Sequence, residues 1–177
     1  AKKAEIKEPD LKGAIDYVLT YEELRDLFTT TDIDLEHLEE DNVPHASRAG
    51  IRYAYAGGVA EAVAATVKRL DPNRKIEVKV RRADSVPDCK AMIDSILKGN
   101  REGNFFEGMG CRGGCVGGPK ALVPKEQGKL NVMAYSDEST YKTPAENPYV
   151  IELLKQLGFE TVEEFLTKSD LYDRKFD

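Results

Sequence analysis

The chain of 177 residues has no tryptophan, two histidines and three cysteines. Three cysteines are too few for a disulfide scaffold, and the odd number leaves one without a partner. That usage predicts a reducing, cytoplasmic setting. No stretch stays apolar for the ~20 residues that span a bilayer, and no signal peptide opens the chain. The formal charge of -6 argues against a nucleic-acid or anionic-membrane partner. Hydrophobic residues at 41% and charged residues at 33% suit a globular protein with its own core. The first residue is Ala1 rather than Met, so the chain reads as a piece of something longer.

What is present is uneven. Six of the 14 glycines and two of the three cysteines fall within residues 108–118. Around this cluster the chain alternates between strand and helix patterns. Residues 1–13 read as a charged lead-in with a helical start. The apolar run at 14–19 predicts a buried strand. Thr20 and Glu23 form a capping box for a helix to about Phe28, with Leu24, Leu27 and Phe28 on its apolar face. Residues 29–50 are acidic and irregular. Gly57 and Gly58 introduce an alanine-rich helix over 59–70, in which Ala60, Ala62, Ala64 and Ala65 allow close packing. It stops at Asp71-Pro72. Ile76, Val78 and Val80 alternate with Glu77, Lys79 and Arg81, which predicts a strand over 76–80. A helix over 85–98 carries Pro87 in its first turn and directs Ala91, Met92, Ile96 and Cys89 inward. Residues 104–107 form a third short strand, and 119–145 read as a loop. Helices at 148–157 and 161–168 follow, the second with a capping box of Thr161 and Glu164. The charged tail 172–177 is expected to fray. The fold class is therefore α/β, a small and mostly parallel sheet flanked by helices.

The segment Phe106-Glu107-Gly108-Met109-Gly110-Cys111-Arg112-Gly113-Gly114-Cys115-Val116-Gly117-Gly118 admits three readings. Gly108, Gly110 and Gly113 match G-x-G-x-x-G, but a nucleotide site needs a helix starting inside the motif, and these glycines and Pro119 oppose one. The plain alternative is a flexible turn with two incidental thiols. The third is thiolate ligation of a metal. Soft sulfur suits iron–sulfur clusters and zinc, and glycines let a backbone wrap closely around a cluster. A cluster commonly takes four cysteines. Cys111 and Cys115 are two, and Cys89 reads as a core thiol, so the remaining ligands would lie outside this chain. His37 and His45 read as solvent-facing, the acidic run 36–41 as a solvated loop, and Tyr149, Phe159 and Phe165 as helix packing.

The same segment resembles the third signature of iron-only ([FeFe]) hydrogenases: Glu, Met, a small residue, Cys, three residues ending in Gly, Cys, and a glycine run. Asp16-Tyr17-Val18-Leu19-Thr20 with Glu22-Glu23-Leu24 looks like the strand and helix after the family's second signature. Ala56-Gly57-Gly58-Val59-Ala60-Glu61-Ala62 is similar to its glycine-glycine helix entry. The likeness covers residues 1–120, and Glu146-Asn147-Pro148 extends it into the last helices. The second signature is Met-Pro-Cys, two residues, Lys, two residues, Glu. The opening Ala1-Lys2-Lys3-Ala4-Glu5 matches its end, with Lys2 on the lysine and Glu5 on the glutamate.

The resemblance implies the C-terminal lobe of the hydrogenase catalytic domain over 1–177, and reversible oxidation of H2 at an H-cluster, a [4Fe-4S] cluster joined to a di-iron subsite. Cys111 would ligate the [4Fe-4S] cluster, and Cys115 would ligate it and bridge to the di-iron unit. Lys2 would donate a charge-assisted hydrogen bond to a cyanide ligand of the di-iron unit, and Met109 would shield that unit. Glu5 would support the residues that touch the group, or stand near the proton and electron path. The other two ligand cysteines would belong to the remainder of the catalytic domain. A ferredoxin or similar carrier would exchange electrons. The chain alone is expected to hold no complete cluster and to turn over no H2. Two departures, Gly110 where the family commonly has Ala and a glycine run one residue short, leave open a non-catalytic, H2-sensing or redox module of the same fold, beside the nucleotide-binding alternative.

Overall fold

The computed structural model describes residues 2–39 and 45–170, with the side chains of Lys2 and Asp10 excepted. The tail 172–177 and residues 40–41 of the acidic run lie outside them. The architecture is α/β. Two parallel strands, β1 (Val80–Asp84) and β2 (Phe105–Met109), pair in register from Val80 opposite Phe105 to Asp84 opposite Met109. The crossover between them is α5 (Val86–Leu97), started by Ser85, whose hydroxyl accepts the Asp88 N–H at 3.2 Å. Before the sheet come α1 (Lys2–Glu5), α2 (Tyr21–Thr30), α3 (Arg48–Ile51) and α4 (Gly58–Leu70). After it come α6 (Lys125–Asp137), α7 (Pro148–Gln156) and α8 (Val162–Lys168). Among the described residues no helix is long and apolar enough to cross a membrane.

The first expected strand does not form. Residues 14–19 are extended, yet Tyr17 is 84% exposed and no described strand pairs with them. An apolar run becomes a strand only when a neighbour takes up its backbone groups. The second strand is displaced from 76–80 to 80–84. The Lys79 N–H donates to the Asn104 side-chain oxygen at 2.7 Å, and the Asn104 amide donates to the Glu77 carbonyl at 2.8 Å. The Arg74 guanidinium takes the Ile76 carbonyl. Side chains thus occupy the alternating segment's backbone, and the ladder starts only at Val80. On α5, Met92, Ile96 and Cys89 are half-buried, whereas Ala91 is exposed.

The 119–145 loop is also revised, because it contains the 13-residue α6. Its sequence hides it: Gly128 sits mid-helix and no apolar stripe runs along it. Gly128 packs so closely on Val116 that a Cβ there would lie 3.0 Å from the Val116 side chain. Ser136 is fully buried, accepts from the Arg52 guanidinium at 2.9 Å and donates to the Met133 carbonyl at 2.7 Å. Small residues and buried hydrogen bonds, rather than a leucine stripe, hold this helix. The short α3 likewise falls inside the expected irregular stretch 29–50. It docks on the segment before α7, where the Arg48 N–H meets the Tyr141 carbonyl and the Ser139 hydroxyl donates to the Ala46 carbonyl.

The core is small-residue rich. Ala49, Tyr55, Ala60, Ala62, Ala83, Val116 and Leu154 are buried. On α4, Ala64 is half-buried and Ala65 is exposed. Phe159 and Phe165 meet edge to face at 5.3 Å and join α7 to α8. The α8 box is only half as expected: Thr161 accepts the Glu164 N–H, but the Glu164 carboxylate takes the N–H of Glu160. His37 is exposed and pairs with Asp34, and exposed His45 lies 4.2 Å from the exposed Tyr149 ring.

At α2 the expected capping box is complete, and Lys3 joins it through an ion pair to Glu23 at 2.6 Å. That ion pair first, then the Thr20 N–H and hydroxyl, hold the Glu23 carboxyl down to about 2. A lowered carboxyl pKa contributes stability above the unfolded value near 4.5 that fades as pH falls through the folded value. The link between α1 and α2 is therefore expected to weaken between pH 4.5 and about 2. A carbon-detected titration of Glu23 checks this, and Lys3→Ala is expected to move its midpoint back toward 4.5.

Candidate metal centre

The two strands end together, Asp84 opposite Met109, and the chain leaves β2 directly into the glycine-cysteine loop. Loops at the carboxyl ends of parallel strands are where α/β proteins place their chemistry. Met109 is half-buried at the loop's start. Two residues earlier, Glu107 is 5% exposed. Its carboxylate accepts the Gly57 N–H at 2.7 Å and the Ala60 N–H at 2.9 Å. These are orphan amides of the first turn of α4, so the charge satisfies them and lies at the positive end of the helix.

The loop is built against the turn that starts α4. The Ala56 N–H donates to the Gly113 carbonyl at 3.0 Å, and the Gly113 N–H donates to the Asp84 carboxylate at 2.8 Å. Gly114, at φ 80° and ψ -150°, occupies backbone space open essentially to glycine alone. A Cβ there would also lie 2.6 Å from the Ala56 nitrogen. A 3-10 turn, Cys115–Gly117, closes the loop and packs through Val116 on α6. The inner side of the loop is thus filled by protein.

Cys115 is exposed and Cys111 half-buried, and neither is in a disulfide. Cys89 is set apart on α5, where its Sγ lies 3.6 Å from the Met109 carbonyl oxygen and beside Gly108. That is the environment of a packed core thiol. Among the described residues no group of three or more His, Cys, Asp or Glu side chains converges as a metal site. Cys111 and Cys115 are two free thiols on a fixed glycine loop, which fits half of a four-thiolate donor set. The nucleotide-loop geometry is missing, since the G-x-G-x-x-G string leads into a three-residue 3-10 turn and the next helix begins at Lys125.

Of the other expected site residues, Glu5 is half-buried on α1. The Lys2 side chain lies outside the described residues. The segment carrying both is linked toward the loop in two steps: Lys3 to Glu23, then Glu22 to Lys120 at 2.9 Å. Lys120 has a left-handed backbone, φ 67°, and is separated from the glycine run by Pro119. Its ion pair with Glu22 raises the Lys120 pKa. Behind the loop, buried Tyr55 donates to the Glu61 carboxylate at 2.9 Å, and the Lys129 ammonium lies 4.8 Å from its ring centre. Burial first, then Glu61, push the Tyr55 phenol up to about 12, so it stays a neutral donor. Sequence reasoning assigned no role to Glu107, Asp84, Tyr55 or Lys120. Glu107 stood inside the quoted signature, but its partners are amides 50 and 47 residues away and leave no local signal.

The family model described as iron only hydrogenase large subunit, C-terminal domain, matches residues 1–119. The matched span includes both strands and the whole glycine-cysteine loop.

Proposed function

The chain belongs to the iron-only hydrogenase large-subunit family, C-terminal domain, and from that premise we propose that it is part of a catalytic unit interconverting H2 with protons and electrons. The observation that carries this reading is the pair of free thiols, Cys111 and Cys115, on a loop fixed to the turn before α4 and to β1. Both would ligate a [4Fe-4S] cluster, and Cys115 would also bridge to the di-iron subsite. When bound, that group supplies hydride chemistry at iron and a relay for electrons. The residues of this chain hold and shield it. Met109 would shield the group from water at the start of the loop, Lys2 would anchor it with a charge-assisted hydrogen bond, and Glu5 would support them or serve the proton and electron path.

Two further thiolates are needed, and we assign them to the remainder of the catalytic domain, with 1–177 as its C-terminal lobe. An apolar groove of about 630 Å³, walled by Tyr21, Leu24, Phe28, Ile33, Leu35 and Leu122, supports such a partner. Leu35 on its wall, and Tyr17, Leu19 and Leu38 elsewhere in the same stretch of sequence, are more than half exposed, which fits burial in a larger unit. The electron partner is a ferredoxin-type carrier, and the setting is cytoplasmic. A second reading, an H2-sensing or redox module, is favoured by Gly110 and by the short glycine run, which ends at Gly118 before Pro119.

Anaerobic reconstitution with ferrous iron and sulfide, followed by addition of a di-iron complex carrying its CO, cyanide and dithiolate ligands, tests both. The hydrogenase containing this chain should bind iron, show a cluster signal by electron paramagnetic resonance and turn over H2. The 177 residues alone should not turn over H2. Cluster binding without turnover would favour the sensing reading, and absence of iron from the whole protein would overturn both.

A further inference from the structure

We propose that Asp84 is a positioning residue for the ligand loop, holding the Gly113 amide midway between Cys111 and Cys115 so that the two thiols stay at a fixed spacing. The inference deepens the functional reading above and rests on it for the role of the thiols. Its own basis is geometric. Between the cysteines stand Gly113 and Gly114, both at positive φ, 87° and 80°. Glycines give such a loop its shape but also freedom to leave it. The shape must therefore be imposed from outside, and Gly113 is held on both its polar groups. Its carbonyl takes the Ala56 N–H at 3.0 Å, and its N–H donates to the Asp84 Oδ1 at 2.8 Å.

The topology explains why Asp84 can do this. It is the last residue of β1, paired with Met109, the last residue of β2. In a parallel pair both chains leave the sheet at the same edge. A short side chain at that position on β1 therefore reaches back over the loop that leaves β2. A charged acceptor makes the stronger hydrogen bond. The small cavity beside this contact is lined by Ala56, Asp84 and Gly113 together with Lys125, Glu126 and Lys129 of α6, and Lys125 pairs there with Glu126 at 3.7 Å. Asp84 thus ties the sheet to the loop at its midpoint, while Ala56 ties the same residue to the turn before α4.

Amide hydrogen exchange in the 177-residue chain tests the contact without any metal. Asp84→Ala is expected to speed Gly113 exchange by about tenfold or more. Asp84→Asn keeps an oxygen acceptor of the same size and is expected to restore most of the protection. Unchanged Gly113 exchange in Asp84→Ala overturns the proposal, and so does failure of the Asn variant to rescue. In the iron-loaded hydrogenase, the Ala variant should broaden the cluster's paramagnetic spectrum while the Asn variant keeps it narrow, and identical spectra for both would also sink the positioning role. Wild-type protein that binds no iron, yet shows Asp84-dependent Gly113 exchange, would refute the ligand assignment and leave the loop anchor standing.

Discussion

Cys115→Ser in the hydrogenase containing this chain is expected to abolish H2 turnover while leaving the fold intact. The loss should exceed the roughly 10–100-fold that changing an outer partner of a metal site costs, because a ligand itself is removed. Serine is nearly the size of cysteine, but its hydroxyl is a poor, hard ligand for iron in a sulfide cluster. The thiol is exposed, so its replacement should shift stability by no more than about 0.5 kcal/mol. Those two readouts separate chemistry from folding. Iron per protein and H2 turnover should fall together, with the thermal midpoint unchanged. Cys89→Ser is the matched control. Its thiol sits on α5 against the Met109 carbonyl, so a small stability change with iron content retained is expected. Full H2 turnover in Cys115→Ser would rule out the ligand role of the loop.

The loop was legible because its chemistry is local. Two cysteines and six glycines in eleven residues constrain what the backbone can do without any knowledge of the fold. The helices that announced themselves did so by their first residues: Thr20, Gly57, Ser85 and Thr161 each stand where the structure starts a helix. What stayed hidden depended on distant partners. Helix α6 packs through Gly128 and Ser136, and neither residue makes an apolar stripe. The ladder of β1 starts four residues late because Asn104, 25 residues from Lys79, occupies the expected strand's backbone. Residues 14–19 have a strand's composition but no described neighbour to pair with. At the site the same rule holds. The thiols were visible, while their supports, Asp84 and Glu107, bind amides 29 and about 50 residues away.

Glu107→Ala is expected to be the most damaging of the single changes to the folded chain. The side chain is 5% exposed, and its two oxygens serve two separate amides, Gly57 and Ala60. Removing it leaves both N–H groups without their acceptor at the buried start of α4. Each hydrogen bond to a charged group contributes about 1.5–3 kcal/mol, so a loss of about 3–6 kcal/mol is expected from urea denaturation. Glu107→Gln makes a sharper test. Its amide oxygen can still accept from one N–H, but its NH2 group then faces the other, donor against donor. About half the loss should remain, together with the loss of a negative charge from the helix's positive end. The damage should also reach the thiols. The turn that Glu107 holds contains Ala56, whose N–H fixes Gly113, and Gly114 packs against the backbone of Tyr55 and Ala56. Loosening that turn releases one of the two anchors on the ligand loop. Iron uptake in Glu107→Ala should therefore fall even at temperatures where the protein stays folded. A variant that loses less than about 1 kcal/mol and binds iron normally would mean that α4 is capped by other groups and that the loop does not depend on it.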